Sequence, residues 1–240
     1  FYHMEQGLLL DGVLLEDKVP VVLSIYENRE SPSFRALFDR VFPVLERTYS
    51  GRIELLLLTA QIHAQNERWH EALEGYLAAI SMNPTNYALY QMAYSLSQEV
   101  GDVDGQIALL ERIEENFNAD EDILEGLVFE YYNVGSWASC ARLATAQAEM
   151  TLDPEVAGNL YALAGTAWFQ LDSFELGTLA YKKALDQERS PTTLNNYAWD
   201  LATNERNLEF ALQLTAECNA SVELEPAFLD TWAWVLYKMG

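Results

Sequence analysis

The chain has 240 residues, half of them hydrophobic, enough to bury a substantial core, which argues against disorder. Its 14 Lys and Arg stand against 37 Asp and Glu, a net charge of −23 with a pI near 4.3. Such a field repels phosphate backbones and anionic headgroups, so nucleic acid and membrane surfaces are disfavoured as partners, although excess carboxylate also simply keeps an aromatic-rich chain soluble. Cys140 and Cys218 are too few and too far apart for a disulfide framework or a zinc site, and each reads as a small buried apolar residue. No run approaches the roughly 18 apolar residues of a membrane span, so direct insertion is not expected. The chain starts at Phe1 rather than Met. An excised or processed piece is therefore open, and with it a cytoplasmic or a periplasmic, envelope-associated location.

Residues 1–52 predict two helices, "VPVVLSIYENRE" and "SPSFRALFDRVFPVLERTYS", with apolar stripes through Val21, Val22 and Ile25 and through Phe34, Leu37, Phe38, Val41 and Leu45. They read as a degenerate hairpin that caps the remainder of the chain. From Ile53 to Pro84 apolar residues recur at steps of three and four, break at Gln65–Arg68 and resume. That is a helical hairpin, with Leu56, Ala60 and His63 on one face and Trp69, Ala72, Tyr76 and Ala79 on the other; Pro84 cannot continue the second helix. The unit recurs with turns at Gly101–Asp102, Gly135–Ser136, Asp172–Ser173 and Asn204–Asn207. First anchors at Leu56, Tyr90, Leu124, Tyr161, Leu194 and Leu229 are separated by 34, 34, 37, 33 and 35 residues. Ser31–Pro32, Asp153–Pro154 and Ser190–Pro191 each put a capping oxygen before a proline at the first helical position. The last segment, "LDTWAWVLYKMG", places Leu229, Trp232, Ala233 and Leu236 on the anchors of a sixth first helix, so the array is expected to stop halfway through a repeat. Strand-like alternation and linker composition are missing, and 53–240 reads as one continuous array.

Tyr161-x2-Ala164-Gly165-x2-Trp168 with Phe174, Gly177-x3-Tyr181 and Ala184, and Leu56-x2-Thr59-Ala60-x2-His63 with Ala72-x3-Tyr76, Ala79 and Pro84, resemble the tetratricopeptide repeat family. The resemblance covers about 53–240. The second repeat departs from the pattern at Tyr94 and Gln106, and the fifth is three residues longer between Ala211 and Pro226. The weak early part, "LNNYAWDLA" and "LDTWAWVLYKMG" further resemble envelope-associated members from Bacteroidetes-type bacteria. The resemblance implies an all-α α-solenoid, a right-handed superhelix whose concave wall is lined by first helices and takes an extended or helical peptide.

Catalysis is poorly provided for. His63 occupies a packing position and His70 starts a helix, neither in metal-ligand spacing, so both read as structural. Asn118, Asp120 and Asp122 alternate like a calcium loop but lack its turn glycine; acids entering a helix N-terminus explain them. No catalytic residue, metal site or cofactor is expected.

Wall positions lie five and eight residues after each first anchor. They are small or polar in the first two repeats, namely Gln61, Ala64, Ser95 and Gln98. In the later repeats they are Phe129, Tyr132, Thr166, Phe169, Trp199, Ala202, Trp234 and Tyr237, six aromatics in eight places. Rigid aromatics concentrate binding energy. Asp122, Glu125, Asp200 and Asp230 would add a preference for Lys or Arg, while of the family's carboxylate-clamp residues only Asn195 and Asn133 have counterparts and no Lys or Arg lines up with them, which disfavours co-chaperone binding. The expectation is a non-enzymatic scaffold that binds a protein or peptide bearing apolar or aromatic anchors and basic groups. Burial of these rings against neighbouring hairpins is the competing reading. Two functional alternatives also stand: pairing of two copies through terminal helices, and a recruiting or regulatory segment of a larger enzyme or envelope complex.

Overall fold

The computed structural model describes residues 1–118, 120–221 and 225–240, the Ser221 side chain excepted. Among the described residues there are 14 helices and no strand. They are α1 (Tyr2–Leu9), α2 (Leu15–Glu27), α3 (Pro32–Thr48), α4 (Ile53–Gln65), α5 (Trp69–Met82), α6 (Tyr87–Val100) and α7 (Val103–Asn116), then α8 (Glu121–Asn133), α9 (Trp137–Met150), α10 (Pro154–Gln170), α11 (Phe174–Gln187), α12 (Pro191–Thr203), α13 (Leu208–Ser221) and α14 (Pro226–Met239). The chain divides into two units, Phe1–Asn116 and Phe117–Gly240. None of the described helices is long and apolar enough to cross a membrane.

In the first unit, the stripes expected on α2 and α3 close a core of Leu8, Val22, Ile25, Leu37, Val41 and Leu45 that continues into Leu55 and Leu58 of α4. The short α1 has no sequence signature, since it carries a single buried residue, Leu8. Lys18 is buried yet satisfied, donating from Nζ to the Leu10 carbonyl at 2.9 Å and the Tyr49 hydroxyl at 2.8 Å. The departure at Gln106 is absorbed by a hydrogen bond, its Nε2 donating to the Ser97 carbonyl at 3.2 Å.

The second unit consists of three hairpins, α8–α9, α10–α11 and α12–α13, followed by α14. Asp153 and Ser190 cap α10 and α12 as their proline pairs predict, accepting from the Glu155 and Thr193 amides at 2.9 and 3.1 Å. Ser31 makes no side-chain cap, and Asp120 caps α8 instead of joining a metal loop. Two glycines set the α10–α11 contact: a Cβ on Gly165 would fall 2.7 Å from the Tyr181 ring and one on Gly177 2.5 Å from Phe169. The Tyr181 and Tyr197 rings stack on one another at 4.5 Å, tying α11 to α12. The extra length expected between Ala211 and Pro226 falls on 222–224, outside the described residues.

The last helix corrects the sequence register. Thr231 and Val235 are its buried residues, whereas Ala233 and Leu236 are exposed and Leu229 and Trp232 only half-buried. Tyr197 to Thr231 and Leu201 to Val235 are both steps of 34, so the anchors lie one residue earlier than Leu229 and Leu236. Hydrophobicity pointed to the Leu and Trp side chains, but Thr231 is the residue buried, its hydroxyl satisfied by the Ala227 carbonyl at 3.2 Å.

Candidate functional site

The first helices of the second unit carry the candidate wall. Residues four and seven apart share a helix face. On α8 this gives Glu125, Phe129 and Tyr132, and on α12 Asn195, Trp199 and Ala202; on α14 Asp230, Trp234 and Tyr237 share a face, which the corrected register places one residue past the equivalents of the α12 set, Leu229, Ala233 and Leu236. Helix α12 packs beside both α10 and α14.

Three of the expected rings assemble. Trp199 and Trp234 stack at 5.9 Å with an interplanar angle of 27°, and Trp234 stacks on Tyr237 at 5.5 Å and 20°. The Trp234 indole donates from Nε1 to the Thr203 hydroxyl at 3.2 Å, which fixes the middle of the ladder. Its ends are open, with Trp199 40% and Tyr237 73% exposed. Lys238 lies over the Trp234 ring at 5.0 Å and pairs with Glu205 at 2.9 Å. That pair holds Glu205 below the usual carboxylate range. Phe129 is 51% exposed and outside the ladder, without a ring contact among the described residues. Tyr132 is half-buried, edge-on to Trp137 at 5.3 Å. Glu125 is half-buried, and Asp122 and Asp230 are exposed. Asn195 is half-buried, and among the described residues no donor reaches its buried Oδ1.

Three of the expected residues are buried instead, Ala202 completely. Phe169 is 2% exposed, enclosed by the Phe174, Tyr181 and Tyr197 rings at 5.7, 6.0 and 6.3 Å, because Gly165 and Gly177 bring α11 close enough to cover it. Asp200 is 4% exposed and accepts a 2.6 Å hydrogen bond from the Tyr181 hydroxyl, which also contacts Thr166 Oγ1 at 2.6 Å. Because the single Tyr181 proton goes to Asp200, Thr166 donates to Tyr181. Burial raises the Asp200 carboxyl to about 6 against the pull of these hydroxyls. Burial raises the Tyr181 and Tyr132 hydroxyls as well, and the Asp200 charge adds to both shifts. Asp200 is thus a structural carboxylate unavailable to a partner's Lys or Arg. Sequence reasoning missed Thr203, Glu205 and Lys238 beside the ladder and the Thr166–Tyr181–Asp200 chain; spacings of 15 and 19 residues carry no pattern that would have joined the latter.

Burial keeps two isolated reactive groups neutral near pH 7, depressing His63 and pushing the Cys140 thiol up to about 12. No group of three or more His, Cys, Asp or Glu able to hold a metal occurs among the described residues.

Hairpins repeating at about 34 residues, with close glycine contacts in α4–α5 and α10–α11 and with α12 beside both α10 and α14, define an all-α helical-hairpin repeat fold. No protein-family model matches the chain, and no curated protein matches its sequence. Among solved structures it is similar to a thermophilic tetratricopeptide protein of Thermus thermophilus, at 15% identity and a TM-score of 0.48 over 78% of this chain and 100% of that one. It is also similar to the C-terminal part of a repeat-containing protein from Cytophaga hutchinsonii, at 12% identity and a TM-score of 0.49 over 90% and 79%. Yeast Tom70 aligns at 13% identity and a TM-score of 0.48 over 92% of this chain and 46% of its own.

Proposed function

We propose that the chain is a non-enzymatic protein-interaction scaffold that binds a peptide segment across α8, α12 and α14. The observation that carries this is the ladder: three large rings held in register by a hydrogen bond while both end rings stay in solvent. Rigid aromatics lose little entropy on binding and so make efficient anchors. Phe129 extends the surface, and Glu125, Asp122 and Asp230 favour Lys or Arg beside the anchors; Asn195 stands on the same face, but its Oδ1 is buried. Residues 1–52 act as the cap of the array.

Panels of peptides carrying aromatic and basic residues, followed by fluorescence anisotropy, test the reading. Ala at both Trp199 and Tyr237 is expected to weaken a binding peptide by well over tenfold while the circular dichroism stays helical. Retained affinity would overturn the proposal. Binding should also weaken as salt rises, because exposed carboxylates are screened.

A further inference from the structure

Cations are scarce in the second unit, where Arg142, Lys182, Lys183, Arg189, Arg206 and Lys238 are the basic residues of 117–240. Lys183, Arg189 and Lys238 are paired, with Glu149, Glu217 and Glu205 at 3.1, 2.7 and 2.9 Å. Lys182 and Arg206 make no ion pair among the described residues, and both line one cavity. In a chain with 37 carboxylates, two cations left without one at the same opening call for an explanation.

The cavity, about 460 Å³, lies between α11 and α13 over α12, within the size range of ligand sites. Its floor is buried Phe169, Tyr197 and Leu201, and its walls are half-buried Phe174, Thr178 and Phe210. Phe210 meets Tyr197 edge to face at 5.7 Å. The Arg206 guanidinium lies over the Phe174 ring, 4.2 Å from its centroid, an arrangement that leaves the in-plane N–H donors free for a carboxylate. Arg206 sits between Glu205 and Asn207, whose φ values of 53° and 38° are left-handed. Glu67 and Asp172 take the same left-handed conformation in the α4–α5 and α10–α11 turns, so this is the turn of the repeat, and it is the contact with Phe174 that places the guanidinium. The one acid lining the cavity is the exposed Glu175.

We infer that this cavity is a second recognition site, separate from the ladder, for a peptide C-terminus ending in an aromatic residue. The ring enters between Phe174 and Phe210, and the α-carboxylate pairs with Arg206 and Lys182. Guanidinium and aromatic wall are so close that charge and ring must be adjacent on the ligand. A terminal aromatic residue joins them across two carbon atoms and needs no exit for a following chain. An internal acid beside an aromatic residue would need one.

The probes are a fluorescein-labelled hexapeptide ending in Phe with a free carboxylate, the same peptide amidated, and 3-phenylpropionate as unlabelled competitor, each with the full chain. The free acid is expected to bind saturably, and amidation or Arg206→Met to weaken it at least tenfold, the scale of a lost charge-assisted hydrogen bond. The ladder variant with Ala at Trp199 and Tyr237 should bind it unchanged, which separates failure here from failure of the proposed peptide wall. Phe210→Ala should abolish binding while the helical signal is kept; if it unfolds the chain, the exposed Arg206→Met decides alone. Equal affinity for acid and amide, no saturable binding, or an Arg206→Met variant that binds normally would each overturn the proposal. Competition by 3-phenylpropionate at the peptide's own affinity would also overturn it, by assigning the cavity to a small aromatic acid.

Discussion

Helices α10 and α14 are both first helices of the same repeat pattern, yet they treat their aromatic residues in opposite ways. Helix α10 packs against α8, α9, α11 and α12, and Phe169 disappears into that contact; α14 packs against α12 and α13, and Tyr237 stands in solvent. A residue's place in the repeat therefore gives its direction but not its exposure, which depends on how closely the neighbouring helices approach. On α10 that approach is set by Gly165 and Gly177.

Substitutions that separate ring from neighbour break the contrast. Phe169→Ala should cost about 3–5 kcal/mol, the price of an emptied aromatic core site, read as a large fall in the urea midpoint. Asp200→Asn tests the polar side of the same contact. The Asp200 carboxyl titrates near 6 in the folded chain against 3.8 as its ordinary value, so the folded state binds the proton more readily than the unfolded one. Stability from this group is fully present below about pH 4 and falls as pH rises to about 6, by on the order of 2–3 kcal/mol. The Asn variant, which keeps an acceptor for Tyr181, should therefore be more stable than the parent at pH 7 and lose that advantage towards pH 4, as paired urea titrations would show. The smallest effect belongs to Tyr237→Ala, expected to change stability by no more than about 0.5 kcal/mol. A large loss there would place the ring in the core and collapse the contrast.

The hairpins were legible because their cause is local. Three-and-four spacing, the Asp153 and Ser190 caps before their prolines and the turns between helices all act within one repeat, and the structure carries helices at each of these places. The three rings of the ladder were singled out by side-chain spacing, but their stacking was not, since in the corrected α14 register Trp234 and Tyr237 lie one residue past the positions that spacing defines. Phe169 and Asp200 were misread because their burial depends on distances between helices that no spacing encodes. The α14 register was misread because hydrophobicity favoured Leu229 and Leu236 while packing selected Thr231 and Val235. Arg206 and Lys182 gave no signal, as two cations 24 residues apart become neighbours of one cavity only after α11 and α13 pack around α12.

The Thr166–Tyr181–Asp200 chain crosses α10, α11 and α12, and so spans two hairpins. Apolar repeat surfaces are interchangeable enough to tolerate sliding, but a buried carboxylate has one set of donors and is costly without them. A mis-stacked hairpin would strand Asp200, so the chain acts as a register lock. It also couples the unfolding of one hairpin to that of the next, where stability would otherwise be a sum over nearest neighbours. The α10–α13 segment should accordingly melt as a single cooperative block rather than fray hairpin by hairpin.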